Sequence, residues 1–120
     1  MRKDWRDFAW HIVEGIERIW DYRARVKAGR ADADMAFDAT LRLLETVCEA
    51  ASDKLPKLVK QRYPTIDWVA ISGLRVRLAH GYLAIDPVVI ETTITRDLDQ
   101  LYQAMKSEIS NWETRQDQER

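Results

Sequence analysis

Apolar residues fall into helical stripes along this chain. Trp5, Phe8, Ile12, Ile16, Ile19 and Val26 recur at helical spacing, and Ala9, Val13 and Trp20 widen the stripe. They predict a first helix from about Asp4 to Lys27, with Gly29 as its stop. Ala31-Asp32-Ala33-Asp34 is a linker with N-cap candidates. A second helix is expected from about Met35 to Ser52, its buried edge marked by Phe37, Leu41, Leu44, Cys48 and Ala51, with Leu43 and Val47 beside it. Leu55-Pro56 opens a short third helix that ends at Tyr63-Pro64, because a residue before proline avoids helical geometry. Asp67 can cap a fourth helix, which Val69, Ile71, Leu74, Leu78 and Ala79 carry on to Gly81. Asp86-Pro87 is a cap followed by a first-turn proline. Behind it Ile90, Ile94, Leu98, Leu101, Met105, Ile109 and Trp112 form the cleanest stripe of all. No strand alternation, repeat or low-complexity tract is visible. The expected fold is all-α, an antiparallel bundle of four to five helices. Residues 1–112 form its single domain, and the polar residues 113–120 are expected to fray.

Composition narrows the class. A chain of 120 residues, 46% hydrophobic and 32% charged, suits one soluble helical domain. Five tryptophans are many for this length, and they either fill the core or bury one face against a partner. The net charge of −1 excludes a chain that binds nucleic acid by bulk charge. RNA contact then requires a local basic patch or two copies brought together. Lys54, Lys57, Lys60 and Arg62 make the most basic local stretch, either a solvated face or an RNA-contacting patch. Arg23, Arg25, Lys27 and Arg30 crowd the end of the first helix, where they suit its dipole. The lone Cys48 sits inside an apolar pattern and reads as a small buried residue. No signal peptide or bilayer-length apolar run is visible, so a cytoplasmic location without membrane contact is expected.

The densest chemistry lies in Leu74-Arg75-Val76-Arg77-Leu78-Ala79-His80-Gly81-Tyr82. Here a fixed cation, a proton-transfer group and a phenol fall within eight positions, Arg75-x4-His80-x-Tyr82. Imidazole titrates near neutral pH and can give or take a proton. Guanidinium stays charged and forks onto phosphate oxygens. Together they suit attack on a phosphodiester. Residues five apart on a regular helix point about 140° apart, so Arg75 and His80 do not share a face if the helix stays regular. They converge if Gly81 breaks the helix, or if two copies meet on a twofold axis. On spacing alone a plainer reading stands beside these: Arg75 and Arg77 as surface salt-bridge formers and His80 as a helix C-terminal residue. The other histidine, His11, lies beside the first stripe and reads as a packed or partly exposed side chain.

The chain resembles the HepT-like toxins of the HEPN superfamily. Their ribonuclease signature, Arg-x4-His-x-Tyr, matches Arg75, His80 and Tyr82. The likeness also includes Phe8-Ala9-Trp10-His11-Ile12, Leu43-Leu44-Glu45 with Glu49-Ala50, Leu55-Pro56, Arg62-Tyr63-Pro64 and Ile66-Asp67-Trp68. It continues through Ile71-Ser72-Gly73-Leu74-Arg75 and Ala79-His80-Gly81-Tyr82 to Asp86, and covers nearly all of the chain to about Ile109. Three positions depart from the family pattern. Val76 stands where a polar residue, most often Asn, follows the arginine. Cys48 replaces a common glycine, and Ile90 stands where a tryptophan is frequent. The last two are packing swaps. Val76 cannot position a phosphate or the histidine as Asn can, which puts the strength of nuclease activity in question.

The resemblance implies a homodimer of HEPN-like bundles with the active site in a cleft between the copies. It implies metal-independent endoribonuclease activity without a cofactor, by attack of the ribose 2′-OH on the adjacent phosphate. His80 would serve as acid or base and Arg75 would steady the transition state, with Tyr82 contacting the substrate; Arg77, inside the same run but outside the family motif, is a further candidate substrate contact. It also implies a toxin–antitoxin pair, in which a minimal nucleotidyltransferase antitoxin silences the toxin by adding AMP to Tyr82. The alternative is a non-catalytic HEPN-type binding partner of a nucleotidyltransferase, its motif weakened by Val76.

Overall fold

The computed structural model describes residues 4–81 and 85–118. Among them there is no strand. α1 spans Trp5–Lys27, α2 Ala33–Glu49, α3 Lys57–Gln61, α4 Trp68–Gly81, α5 Pro87–Thr92 and α6 Leu98–Gln118. A π-helical turn, Ala50–Lys54, extends α2 without a break, and a second, Thr93–Asp97, joins α5 to α6 in one continuous rod. The result is the expected all-helical bundle.

Local chemistry sets the boundaries. Asp4 opens α1 with a capping box: its side chain accepts from Arg6 N, and Asp7 reaches back to Asp4 N at 3.2 Å. Gly29, at φ 74°, takes the left-handed conformation that ends the helix at little cost. Asp32 caps α2 through Met35 N at 2.9 Å, Asp67 caps α4 through Ala70 N at 2.9 Å, and Asp86 caps α5 through Val88 N at 2.9 Å. Pro87 follows in the first turn of α5, where its missing N–H is not needed.

The core lies where α1, α2, α4 and α6 meet. Ile12, Ile16 and Ile19 of α1 are sealed against Leu44, Val47 and Cys48 of α2, Leu74 and Leu78 of α4, and Leu101 and Met105 of α6. Gly15 lets α1 and α2 approach closely: a Cβ there would stand 2.6 Å from Val47 Cγ2. Burial pushes the Cys48 thiol up to about 12, so it is an inert core residue, as its pattern suggested.

Several details differ from the sequence reading. Phe37 is 41% exposed, because α2 begins beyond the thick part of the bundle and this ring lines an open groove with Pro87 and Ile90. Val69 is 82% exposed: it lies about 200° around α4 from Ile71, on the side away from the core. Ala79 is also exposed. No tryptophan is fully buried. Trp10 is exposed, while Trp5, Trp20, Trp68 and Trp112 are half-buried, Trp20 packing on Tyr102 with ring centroids 4.9 Å apart.

Candidate active site

α4 carries the site. Its core face is Ile71, Leu74 and Leu78, spaced three and four apart, which fixes the helix's rotation. That rotation turns Val69, Gly73, Val76 and His80 outward along one stripe at steps of four, three and four. His80 is exposed, and Val76 is 50% exposed. Above Gly73 the space is open. An outer face built of two valines, a glycine and a histidine is unlike the charged surface usual for an amphipathic helix.

Arg75 lies to one side of this stripe. Its Nη2 lies 2.9 Å from Asp53 Oδ2 in an ion pair, across from α4 to the π-turn that ends α2. One turn earlier the hydroxyls of Ser52 and Ser72 are hydrogen-bonded at 2.8 Å. From α3, Lys60 Nζ donates to Ser52 O at 2.6 Å, and so satisfies a carbonyl left over at the helix end. Sequence reasoning singled out none of Asp53, Ser52 and Ser72. A π-turn leaves no mark in hydrophobic periodicity, and the second helix was expected to stop at Ser52.

α4 stays helical through Gly81. The break that would have let Arg75 and His80 converge within one chain does not occur at His80. Five residues along a regular helix separate the two by about 140° around the axis and about 7.5 Å along it. Arg77, three residues before His80, is its neighbour on the helix surface. It lines a groove of about 240 Å³ between α4 and α5, with Ile66, Leu74, Val89, Thr93 and Arg96. Tyr82 lies outside the described residues.

The basic stretch spreads over several elements. Lys54 Nζ sits 5.6 Å over the Phe8 ring, beside the groove between α1 and α2 that His11 also lines. Lys60 holds the π-turn and lies 5.9 Å from the Trp68 ring centre. Arg62 Nη1 donates to the buried Glu108 of α6 at 2.6 Å. Lys57 is exposed. Three of the four therefore meet three different elements. Among the described residues, no group of three His, Cys, Asp or Glu side chains is placed to hold a metal ion. No described helix is long and apolar enough to cross a membrane.

The family described as ribonuclease HepT-like matches residues 12–108. The chain belongs to that family. Membership makes it an endoribonuclease by class and its bundle HEPN-like. Among similar proteins is one named probable ribonuclease HepT from Thermococcus cleftensis, 29% identical over 103 residues, which are 84% of this chain and 92% of the relative. Another, from Caldanaerobacter subterraneus subsp. tengcongensis and named as a candidate RNase, is 31% identical over 106 residues, 84% of this chain and 90% of its own. A third, from Methanocaldococcus jannaschii and also named as a candidate RNase, is 25% identical over 101 residues, 83% of each chain. No solved structure matches the chain. The HepT-like match spans every element that positions α4, from the middle of α1 to the buried part of α6.

Proposed function

We propose that this chain is the toxin of a toxin–antitoxin pair, a cytoplasmic, metal-independent endoribonuclease that works as a homodimer. The observation that carries this reading is the unbroken helix between Arg75 and His80. One chain turns the two side chains to different faces, so a site using both draws them from two copies. The outer stripe of Val69, Gly73, Val76 and His80 suits a second copy, since exposed valines on a regular helix gain from burial.

In that cleft the ribose 2′-oxygen attacks the adjacent phosphorus, and the bond to the 5′-oxygen of the next nucleotide breaks. The products are a 2′,3′-cyclic phosphate and a 5′-hydroxyl. His80 takes the proton from the 2′-hydroxyl or supplies one to the leaving 5′-oxygen. The guanidinium of Arg75 donates to the phosphoryl oxygens, where charge builds up in the transition state. Arg77 and Tyr82 contact the RNA on either side of His80 in the chain, and Lys57 is an exposed cation of the basic stretch. A nucleotidyltransferase antitoxin silences the enzyme by moving AMP from ATP to the Tyr82 hydroxyl, releasing pyrophosphate. The added anion blocks the cleft and repels RNA.

A second reading is a non-catalytic partner that presents itself to a nucleotidyltransferase. The observation that favours it is Val76, whose apolar side chain lies on the site face where a polar one would serve chemistry. The test separates the two. Purified wild type and His80→Ala are incubated with total RNA in excess EDTA, after mass spectrometry has shown Tyr82 to be unmodified. Cleavage by wild type alone, leaving 2′,3′-cyclic phosphate ends, supports the nuclease. Cleavage by neither supports the binding partner, and cleavage by both removes His80 from the mechanism.

A further inference from the structure

We infer that Asp53 is a positioning residue that sets the guanidinium of Arg75 before RNA arrives. The inference rests on the reading of Arg75 as a catalytic group.

The pair is built, rather than a chance meeting of two surface chains. Asp53 sits on the π-turn Ala50–Lys54, not on a frayed end. Three contacts hold that turn: Ser52 Oγ to Ser72 Oγ at 2.8 Å, Lys60 Nζ to Ser52 O at 2.6 Å, and Asp53 Oδ2 to Arg75 Nη2 at 2.9 Å. Leu55 then leaves in extended conformation (φ −89°, ψ 136°), with Pro56 after it, so the helix cannot run on and carry Asp53 away. Two consecutive residues of the turn, Ser52 and Asp53, thus meet two residues one turn apart on α4, Ser72 and Arg75. On a regular α-helix consecutive side chains diverge by about 100°. The π-turn narrows that divergence only a little, and such turns are frequent at functional sites.

The chemistry follows from the arginine's donors. A guanidinium has five N–H donors in a rigid fork on a flexible stem. The Asp53 carboxylate pairs with one corner of that fork, at Nη2, and the remaining donors are left for phosphoryl oxygens. Fixing one corner of the fork removes stem rotations that substrate would otherwise have to freeze, so the gain appears in turnover. The carboxylate also cancels part of the positive charge that attracts RNA. Removing its charge therefore has opposite effects on the two kinetic constants: the cleft becomes more attractive to RNA, and the arginine becomes less well aimed. A purely structural ion pair has neither signature, because its loss lowers the folded fraction and leaves the folded enzyme's constants alone.

The test uses the full-length protein, a defined RNA oligonucleotide in EDTA, and the variants Asp53→Asn, Asp53→Glu and Arg75→Ala, each with its melting temperature measured. Expected are a kcat about ten- to hundredfold lower for Asp53→Asn, with KM equal or lower, and an intermediate kcat for Asp53→Glu. Unchanged kcat in Asp53→Asn, while Arg75→Ala is inactive, overturns the inference and leaves the catalytic reading standing. Full activity in Arg75→Ala overturns both. If Asp53→Asn does not fold, Asp53→Glu decides, since it keeps the charge and moves the guanidinium by about one methylene: reduced kcat at wild-type KM supports the inference, and wild-type kcat overturns it.

Discussion

Arg62 Nη1 lies 2.6 Å from Oε1 of Glu108, a side chain only 2% exposed. This ties the connection after α3 to the middle of α6. Removing Arg62 leaves a carboxylate buried without its counter-charge, the costly way to break such a pair. Arg62→Ala is expected to lose about 3 kcal/mol of unfolding free energy in urea. Adding Glu108→Gln to that variant should return part of the loss.

The close approach of α1 and α2 at Gly15 gives a second stability test. A Cβ there meets Val47 Cγ2 at 2.6 Å, and Val47 is itself packed in the core. Gly15→Ala gains about 1 kcal/mol of helix propensity, but the clash should outweigh it and leave a net loss of about 1 kcal/mol. In a Val47→Ala background the same change should be neutral or favourable, a non-additivity visible in thermal melts.

Arg23 meets both carboxylate oxygens of Glu91 at 2.7 Å, fastening α1 to α5. The guanidinium's hydrogen bonds hold the Glu91 carboxyl below its ordinary value of 4.5. A depressed folded-state value means stability that is present above the unfolded value and lost as pH falls through the folded one. Both side chains are largely exposed, so the pair contributes only about 0.5 kcal/mol. Glu91→Gln should melt slightly below wild type near neutral pH, and the two curves should merge in acid well below the usual carboxylate range.

Val76 tests the dimer. Its side chain is half exposed, so the single bundle should tolerate Val76→Arg with unchanged helix content. In a twofold dimer the change places two like charges across the axis. Sedimentation should show monomers, and RNA cleavage should be lost together with the dimer. A variant that stays dimeric and active would remove this face from the interface.

Much of this architecture was legible in the chain. The stripes of α1 and α6 and the caps at Asp67 and Asp86-Pro87 appear where periodicity and local chemistry put them, because these are short-range effects. Phe37 and Val69 misled: Phe37 lines an open groove beside Pro87 and Ile90, and Val69 points away from the core side of α4. The basic run Lys54 to Arg62 looked like one patch because sequence cannot show that Lys54 turns to Phe8, Lys60 to a carbonyl and Arg62 to Glu108. The motif arginine and histidine could be named from sequence. Asp53 could not, because its contact with Arg75 joins residues 22 apart in the chain, on a π-turn that hydrophobic periodicity does not mark.

In the proposed mechanism each cleavage site takes Arg75 from one copy and His80 from the other. The most direct measurement pairs an Arg75→Ala chain with a His80→Ala chain, isolates the mixed dimer by two different tags, and assays RNA cleavage in EDTA. Shared sites predict that the mixed dimer regains one intact site and about half the wild-type rate, while each parent homodimer is inactive. A mixed dimer as inactive as its parents would contradict the account and place the whole site within one chain.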